Sequence, residues 1–220
     1  MKVIGRMWAR KIGAMPVLGK PMLWWTLEEA SKAHFMDDMF VLADNEQLAE
    51  IAQESDCHVI LKDPAESVTL CRDGWDRCLH SHMLSRCGSL GDIKVFLSCN
   101  SCLMTSNILE DMFVKIMEDM VSDTILPVTK VDPYLMLENS KSGELFPFWV
   151  HHGLDRQEYP DLYQAGNTRM QHAERRGGIR LLYHEVLPEH ILEPQSVEDI
   201  NLAEYYLSLR LGGEIVLPNI

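Results

Sequence analysis

The stretch GRMWARKIGAMPVLGKPM, residues 5–22, contains the pattern on which the fold prediction depends. It begins within an apolar run, Val3–Ala9, whose composition predicts a buried strand. Arg10 follows the strand, and a Gly-Lys-Pro sequence at residues 19–21 opens a segment of helical periodicity, in which proline suits the first helical position. A strand, a basic loop and a helix in this order are typical of a nucleotide-binding loop.

The loop itself contains little glycine. Between Arg10 and Lys20 the sequence has two glycines, Gly13 and Gly19, and five apolar residues. Glycine lets backbone amides approach phosphate groups closely, so few glycines predict few amide contacts. Two interpretations therefore stay open from the residues alone: the loop still binds phosphates, or it has become part of the packing.

Apolar runs and helical periodicity alternate along most of the chain. Because strands that alternate with helices form mainly parallel sheets, we expect an α/β fold with ligands at the carboxyl ends of the strands. Capping boxes predict helix starts at Asn107, with Glu110, and at Ser196, with Asp199. The last helix is expected to turn Leu202, Tyr205, Tyr206 and Leu209 inward, and further strands are predicted at Met39–Ala43, His58–Leu61, Ile93–Leu97 and Thr124–Val128.

The alternation stops after Val131. The sequence YLMLENSKSGELFPFW, residues 134–149, reads as two extended segments around a polar Ser-Gly turn. We predict a hairpin arm at residues 131–152 that protrudes from a single domain covering residues 1–220. Its apolar side chains exceed what a two-stranded ribbon buries alone, which predicts a homodimer. The expected interface residues are Leu135, Leu137, Phe146 and Phe148.

Composition and charge narrow the function classes. The 220 residues are 46% hydrophobic and carry a formal net charge of −13, which argues against nonspecific binding to nucleic acid. No apolar run approaches the roughly 20 residues that span a bilayer. The N-terminal sequence carries charges and lacks the apolar centre of a signal peptide. We expect a cytoplasmic protein with neither membrane nor nucleic-acid partners, whose six cysteines stay reduced.

The cysteines and histidines fall into two groups. Residues 71–87 contain three cysteines with His80 and His82, and Cys99 with Cys102 forms a C-x-x-C pair. Zinc sites normally use close pairs on turns bent by glycine or proline. The second pair instead follows an apolar strand. Packing as small buried residues is therefore the favoured interpretation, and structural zinc is the alternative.

The order of the segments resembles that of the acylneuraminate cytidylyltransferases (CMP-sialic acid synthetases) and their relatives that activate KDO. The resemblance extends from residue 2 to about residue 209. VIGRMWAR is similar to the opening strand of the family, which ends in Pro-Ala-Arg, and PVLGKPMLWWTLEEA to its loop and first helix. VLADNEQLAEIAQESDCHVILKDPAE, DRQEYPDLY and SVEDINLAEYYL match, in order, the second strand and helix, the Arg-Gln-x-x-Pro-x-x-Tyr element and the terminal helix.

The resemblance implies a fold and an activity. The fold is a three-layer nucleotide-diphospho-sugar transferase (Rossmann-like) α/β fold, commonly dimeric, with the arm reaching a partner subunit. The activity is transfer of CMP from CTP to a sugar acid of the nonulosonic acid or KDO type, with release of pyrophosphate and assistance from magnesium. Negative charge grows on the leaving pyrophosphate, and its stabilisation requires Arg or Lys, N–H donors and a carboxylate-held metal.

The resemblance also assigns roles to individual residues. Three of these residues also have an ordinary structural role as the alternative: Arg10 as a surface cation, Asp44 as the N-cap of the next helix, and Arg156 as a partner in an ion pair that holds the arm. The assigned residues are Arg10 and Lys20 for catalysis; Arg10, Lys11, Lys20 and Asp44 for the nucleotide; Arg156, Gln164 and Asn167 for the sugar substrate; and Glu193 for the metal.

Several positions depart from the family pattern. The loop after Arg10 is several residues short, and Ser98 and Met104 stand where the family has glutamine and arginine. Gln195 replaces one residue of an acidic pair, so that Glu193 is the carboxylate left for the metal. Two functions of different classes follow: a cytidylyltransferase of unusual loop geometry, or a noncatalytic nucleotide- or sugar-binding paralogue.

Overall fold

The computed structural model describes residues 1–62, 72–119, 121–131, 136–138, 145–147, 161–173 and 180–212; at residues 72–78, 136–138 and 145–147 it describes the backbone alone. The strands are β1 (Val3–Ala9), β2 (Pro16–Val17), β3 (Lys20–Pro21), β4 (Asp38–Ala43), β5 (His58–Leu61), β6 (Ile93–Ser98), β7 (Thr124–Val131), β8 (Met136–Glu138), β9 (Leu145–Pro147), β10 (Leu162–Ala165), β11 (Arg169–His172) and β12 (Leu181–Glu185). The helices are α1 (Met22–Ser31), α2 (Glu46–Gln53), α3 (Arg72–Cys87), α4 (Ser106–Glu118) and α5 (Val197–Arg210).

The central sheet is mainly parallel, as predicted. Its strand order is β10-β7-β11-β6-β1-β4-β5, and β12 pairs with β7. The pairs β1–β4, β1–β6, β4–β5 and β7–β12 are parallel, whereas β11 and β10 join in antiparallel orientation. All five strands predicted before Val131 are present. The strands after residue 160 were not predicted, because their short runs mix polar and apolar residues.

Helices cover both faces of this sheet, which gives the three layers that were predicted. One face, which includes Met7 and Val41, packs against α1, α2 and α4. The other face includes Phe40 and packs against Leu79 and Met83 of α3. Side chains alternate between the faces along each strand, so neighbouring residues of β1 belong to different layers.

The start of α4 differs from the prediction. Thr105 is the N-cap, since its side-chain oxygen accepts a hydrogen bond from the N–H of Ile108 at 3.3 Å. The predicted cap, Asn107, lies inside the helix. The N–H of Ser106 donates to the Glu29 carboxylate of α1 at 3.0 Å, so a neighbouring helix satisfies an amide of this first turn.

The N-cap considered for α2 was wrong, whereas the one predicted for α5 is confirmed. The N-cap of α2 is Asn45, whose side chain accepts a backbone N–H at 3.0 Å, and not Asp44. Ser196 and Asp199 form the predicted capping box of α5. Asp199 accepts hydrogen bonds from two backbone amides, which lower the pKa of its carboxyl.

The buried face of α5 was predicted correctly only in part, since Tyr206 is half-buried against the core but the two predicted leucines are exposed. Leu202 and Leu209 are 43% and 42% exposed, whereas Ala203 and Leu207 are fully buried. These two residues pack with Val17 and the segment that follows β6. Apolar residues lie on several sides of α5, so periodicity alone does not identify the face that docks.

The predicted hairpin is present where the structure describes it. Strands β8 and β9 pair antiparallel, with Leu137 opposite Phe146. Leu135 and Phe148 lie outside the described residues, and the homodimer stays a prediction. Within the described part of the chain, no helix is both long and apolar enough to cross a membrane.

Candidate active site

A cleft with a volume of about 710 Å³ opens at the carboxyl ends of β1, β4 and β6. This is the sheet edge at which α/β folds bind ligands, and the volume lies within the range of small-molecule sites. Residues from five parts of the chain line the cleft: the end of β1 with the basic loop, the end of β4, the end of β6, the start of β11 with the segment before it, and the segment before α5. The lining residues are Trp8, Arg10, Lys11, Ile12, Asp44, Phe96, Leu97, Ser98, Cys99, Asn100, Asn167, Arg169, Glu193 and Gln195.

Arg10 is held at the mouth of the cleft by Trp8. The guanidinium carbon of Arg10 lies 4.3 Å from the centre of the Trp8 ring, a cation–π contact. The indole N–H of Trp8 donates to Asp44 Oδ1 at 2.9 Å, and Lys62 Nζ lies 3.8 Å from the same oxygen. Asp44 therefore orients the indole, and the indole supports the exposed guanidinium. Sequence reasoning missed Trp8, although it lies near the end of β1 and only two residues before Arg10.

The two loop glycines have structural roles. Gly13 lies in a single 3₁₀ turn, Lys11–Ala14, where an added Cβ would be 3.2 Å from the Sγ and Cβ atoms of Cys99. Gly19 has a φ of +74° and, with Leu18 at +48°, forms the two-residue turn between β2 and β3. Turns with positive φ at both positions suit antiparallel hairpins and favour glycine. In place of a glycine-rich cradle, the chain forms a small hairpin.

Lys20 lies in this hairpin, and its side chain contacts Trp24. Its Nζ lies 3.9 Å from the centre of the Trp24 ring. The next residue, Pro21, pairs with Pro16 in the hairpin. Pro21 is therefore the N-cap of α1, whereas the sequence had predicted it as the first residue of the helix. The described lining of the cleft includes neither Lys20 nor Gln164, which is exposed on β10. Arg156 lies outside the described residues. The roles assigned to these three residues stay predictions.

Glu193 is fixed by three hydrogen bonds. Its Oε1 accepts from the Ser101 hydroxyl at 3.2 Å and from the Asn167 backbone N–H at 3.3 Å. Its Oε2 accepts from the Asn167 side-chain amide at 2.5 Å. A carboxylate has about four acceptor positions, so one stays available after these three bonds. The pairing of Asn167 with Glu193 joins the predicted sugar-binding residue to the predicted metal ligand.

The segment after β6 holds Glu193 in place. Ser98 donates to Asn100 Oδ1 at 2.7 Å, and the Asn100 amide donates to the carbonyl oxygen of Pro194 at 3.2 Å. Asn100 and Ser101 are both buried. Because buried polar side chains with satisfied hydrogen bonds have few alternative positions, the Glu193 carboxylate is preorganised at the cleft.

A cationic wall continues the cleft across the sheet. Arg6, Phe96 and Arg169 lie side by side on β1, β6 and β11. The guanidinium carbons of Arg6 and Arg169 lie 3.9 and 4.2 Å from the centre of the Phe96 ring. Arg6 is 5% exposed and contacts His80 Nε2 at 3.0 Å, while Arg169 lines the cleft. This wall depends on the register between three strands, so the sequence alone does not reveal which residues form it.

The C-x-x-C pair packs as small buried residues. Cys99 is 3% exposed and Cys102 is fully buried. Desolvation raises the pKa of the Cys102 thiol to about 12 and also raises that of Cys99. Neither residue belongs to a group of potential metal ligands in the described part of the chain. The packing interpretation of this pair is therefore supported.

The sheet order and the cleft define an α/β fold with a candidate ligand site at the carboxyl ends of its parallel strands. No protein-family model matches the chain. A local match of 49 residues is 35% identical to 3-deoxy-manno-octulosonate cytidylyltransferase from Psychrobacter sp. (strain PRwf-1); it covers 22% of this chain and 18% of that protein. The match thus spans less than a fifth of the curated relative.

Solved structures share the fold over nearly the whole chain. 4-Diphosphocytidyl-2C-methyl-D-erythritol synthase from Anaerococcus prevotii DSM 20548 aligns with a TM-score of 0.66 at 10% identity, covering 94% of this chain and 96% of that one. A second structure of a synthase with that name gives 0.65 at 16% identity, with 94% and 100% covered. CMP:2-keto-3-deoxy-manno-octonic acid synthetase in complex with CTP gives 0.56 at 14% identity, with 96% and 86% covered. These likenesses show that the chain has the same fold as these synthases and this synthetase.

Proposed function

We propose that the protein is a CTP-dependent cytidylyltransferase that transfers CMP to a sugar acid of the nonulosonic acid or KDO type and releases pyrophosphate. The observation that carries this proposal is the cleft at the carboxyl ends of the strands, which the Asp44–Trp8–Arg10 arrangement lines together with the preorganised Glu193. The fold is shared with a synthetase solved in complex with CTP, and the local match is to a cytidylyltransferase.

In this proposal, different side chains of the cleft assist a single displacement reaction at the α-phosphorus of CTP. A hydroxyl oxygen of the sugar acid bonds to the α-phosphorus of CTP, while the bond from that phosphorus to the bridging oxygen breaks. Pyrophosphate leaves with the electron pair, and the hydroxyl proton passes to solvent. Arg10 and Lys11 stabilise the charge that grows on the phosphates, and the cationic wall at Arg169 attracts the anionic acceptor.

Magnesium is an expectation from the resemblance, and the donor set fits it. Mg²⁺ usually binds through one or two carboxylates together with substrate phosphates. Glu193 retains one acceptor position beside its three hydrogen bonds and would hold the ion. When bound with the nucleotide, the ion supplies positive charge that stabilises the leaving phosphates. A single protein carboxylate predicts weak binding in the absence of nucleotide.

The second candidate is a noncatalytic nucleotide- or sugar-binding paralogue. The loop favours this candidate, because Gly13 packs against Cys99 and Gly19 forms a turn. In addition, Met104 is 2% exposed within the apolar core, at a position where the resemblance expects arginine. Without loop amides and an arginine to contact the phosphates, such a protein would bind its ligand but would not lower the activation barrier to CMP transfer.

The test is pyrophosphate release from CTP with magnesium and a panel of 2-keto sugar acids, alongside direct CTP binding. We expect release that depends on a sugar acid and that Arg10→Ala reduces. Arg180→Ala, which changes an exposed arginine outside the cleft lining, serves as the matched control. CTP binding without release for any acceptor would favour the noncatalytic candidate. Absence of both CTP binding and release would refute the enzyme and leave only a noncatalytic protein that binds a sugar.

We also propose that the active form is a homodimer formed through the arm at residues 131–152. The pairing of β8 with β9 supports an extended hairpin in this segment. An isolated two-stranded ribbon is marginally stable in water, so contact with a second copy would stabilise it. A cytoplasmic location stays a prediction from the sequence.

A further inference from the structure

We propose that Asp38, His58 and Cys87 form a binding site for zinc, separate from the cleft. Asp38 and His58 are the first residues of β4 and β5, and Cys87 is the last residue of α3. The site thus lies at the amino ends of the strands, at the edge of the sheet opposite to the cleft. It does not depend on the proposed transfer reaction.

The distances between the ligand atoms suit a zinc ion. His58 Nε2 lies 3.1 Å from Asp38 Oδ1, and Cys87 Sγ lies 3.4 Å from Asp38 Oδ2. All three residues offer ligand atoms within 4.8 Å of one another. A tetrahedral site with Zn–S, Zn–N and Zn–O bonds of usual length places its ligand atoms roughly 3.3–3.6 Å apart. The Asp38–His58 and Asp38–Cys87 distances are close to this spacing, and they involve the two different oxygens of the Asp38 carboxylate.

The surrounding elements orient two of the ligands. The imidazole of His58 packs on the ring of Phe40, its partner on β4, with 4.7 Å between ring centres. Gly88, at a φ of +64°, ends α3 directly after Cys87, and its N–H donates to the carbonyl oxygen of Leu84 at 3.0 Å. The carboxyl end of a helix carries partial negative charge, which favours a cation beside Cys87. All three ligands are half-buried and remain accessible from solvent.

Lys2 competes with the metal. Its Nζ lies 2.9 Å from Asp38 Oδ2, so zinc must bind through Oδ1 or displace the ammonium group from Oδ2. As zinc binds, the Cys87 thiol loses its proton to solvent, a metal–sulfur bond forms and no electron is transferred. Three protein ligands leave a fourth position for water. The competing interpretation is that these side chains form only an ion-pair network at this edge.

The experiment titrates the full-length protein with Co²⁺ as a spectroscopic probe and then displaces it with Zn²⁺. We expect a thiolate-to-cobalt charge-transfer band in the wild type that Zn²⁺ abolishes. Cys87→Ser should remove the band. Cys57→Ser should keep it, because the Cys57 thiol donates to the carbonyl oxygen of Ala52 at 3.1 Å and is not a member of the cluster. Circular dichroism reports whether each variant folds.

Two further variants keep the proposal falsifiable if Cys87→Ser fails to fold. His58→Asn should weaken Co²⁺ binding by more than about 100-fold, because loss of an outer partner alone typically costs 10–100-fold. Lys2→Leu should strengthen binding by about two- to fivefold, because it removes a competing partly exposed ion pair. Absence of the band in the wild type, a band that survives Cys87→Ser, or a Co²⁺ affinity that His58→Asn leaves unchanged would overturn the proposal.

Discussion

The contact of Arg10 with Trp8 leads to a graded prediction for CTP affinity. In the proposed function, Arg10 contributes a charge-assisted contact to the phosphates, worth about 1.5–3 kcal/mol when well formed. At about 1.4 kcal/mol for each factor of ten, Arg10→Ala should weaken CTP binding by about tenfold or more. The loop glycines have structural roles, so backbone amides compensate little for the lost side chain.

Changes at Trp8 should have smaller effects that separate its two contacts. Trp8→Leu removes the ring that lies 4.3 Å from the Arg10 guanidinium, a contact worth about 0.5–1 kcal/mol at an exposed site. We therefore expect CTP affinity to fall by about two- to fivefold. Trp8→Phe keeps an aromatic face but removes the N–H that donates to Asp44, so its effect should lie between those of Trp8→Leu and the wild type.

The assay is isothermal titration calorimetry with CTP at low and moderate salt, with Arg180→Ala as control. Exposed charges are screened, so affinity should fall as salt rises, and more steeply for the wild type than for Arg10→Ala. The reasoning would be refuted if Arg10→Ala bound CTP as tightly as the wild type. If neither protein bound CTP, the loop would serve packing alone.

Three further predictions concern the metal, the acid dependence of stability and the assembly. Glu193→Gln should reduce magnesium-dependent pyrophosphate release by about tenfold or more, because it removes the charge that would hold the ion; tight magnesium binding to the nucleotide-free protein, unchanged by this substitution, would contradict the assignment. The Asp199 carboxyl has a lowered pKa in the folded protein, so its stabilisation is present above about pH 4 and is lost as pH falls through the folded pKa. Urea unfolding should therefore show Asp199→Asn less stable than the wild type at pH 7, with a gap that narrows in acid, and a constant gap would count against the capping box. Sedimentation should show a dimer at micromolar concentration that Leu137→Ser with Phe146→Ser disrupts; a monomeric wild type would exclude the proposed interface.

Much of the sheet was predictable from the sequence. A strand buried between two helical layers is largely apolar, which is why Val3–Ala9 was predicted with its observed bounds. The bounds of His58–Leu61, at the edge of the sheet, were also predicted correctly from its apolar, β-branched residues. The capping box at Ser196 was predictable because both of its partners lie within one turn. The resemblance likewise placed Arg10, Lys11, Asp44, Asn167 and Glu193, which the structure brings to one cleft.

Other features were decided by tertiary contacts. Thr105 and Asn107 are both possible caps, and the helix begins after Thr105, where Glu29 of another helix accepts an amide hydrogen bond from the first turn. Leu207, and not Leu209, is buried on α5, because the docking surface of a helix depends on what it packs against.

The composition of the cleft was also decided by the tertiary structure. Phe96 and Arg169 are 73 residues apart in sequence (169 − 96), and strand pairing places them side by side. Trp8 acquires its role from Asp44, which β4 brings to its indole N–H. Local sequence determined most of the strands and helices before Val131, since buried apolar runs and capping residues are set by near neighbours, whereas the strands after residue 160 carry no such signal. Contacts between distant side chains depend on strand order and register, which only the folded sheet establishes.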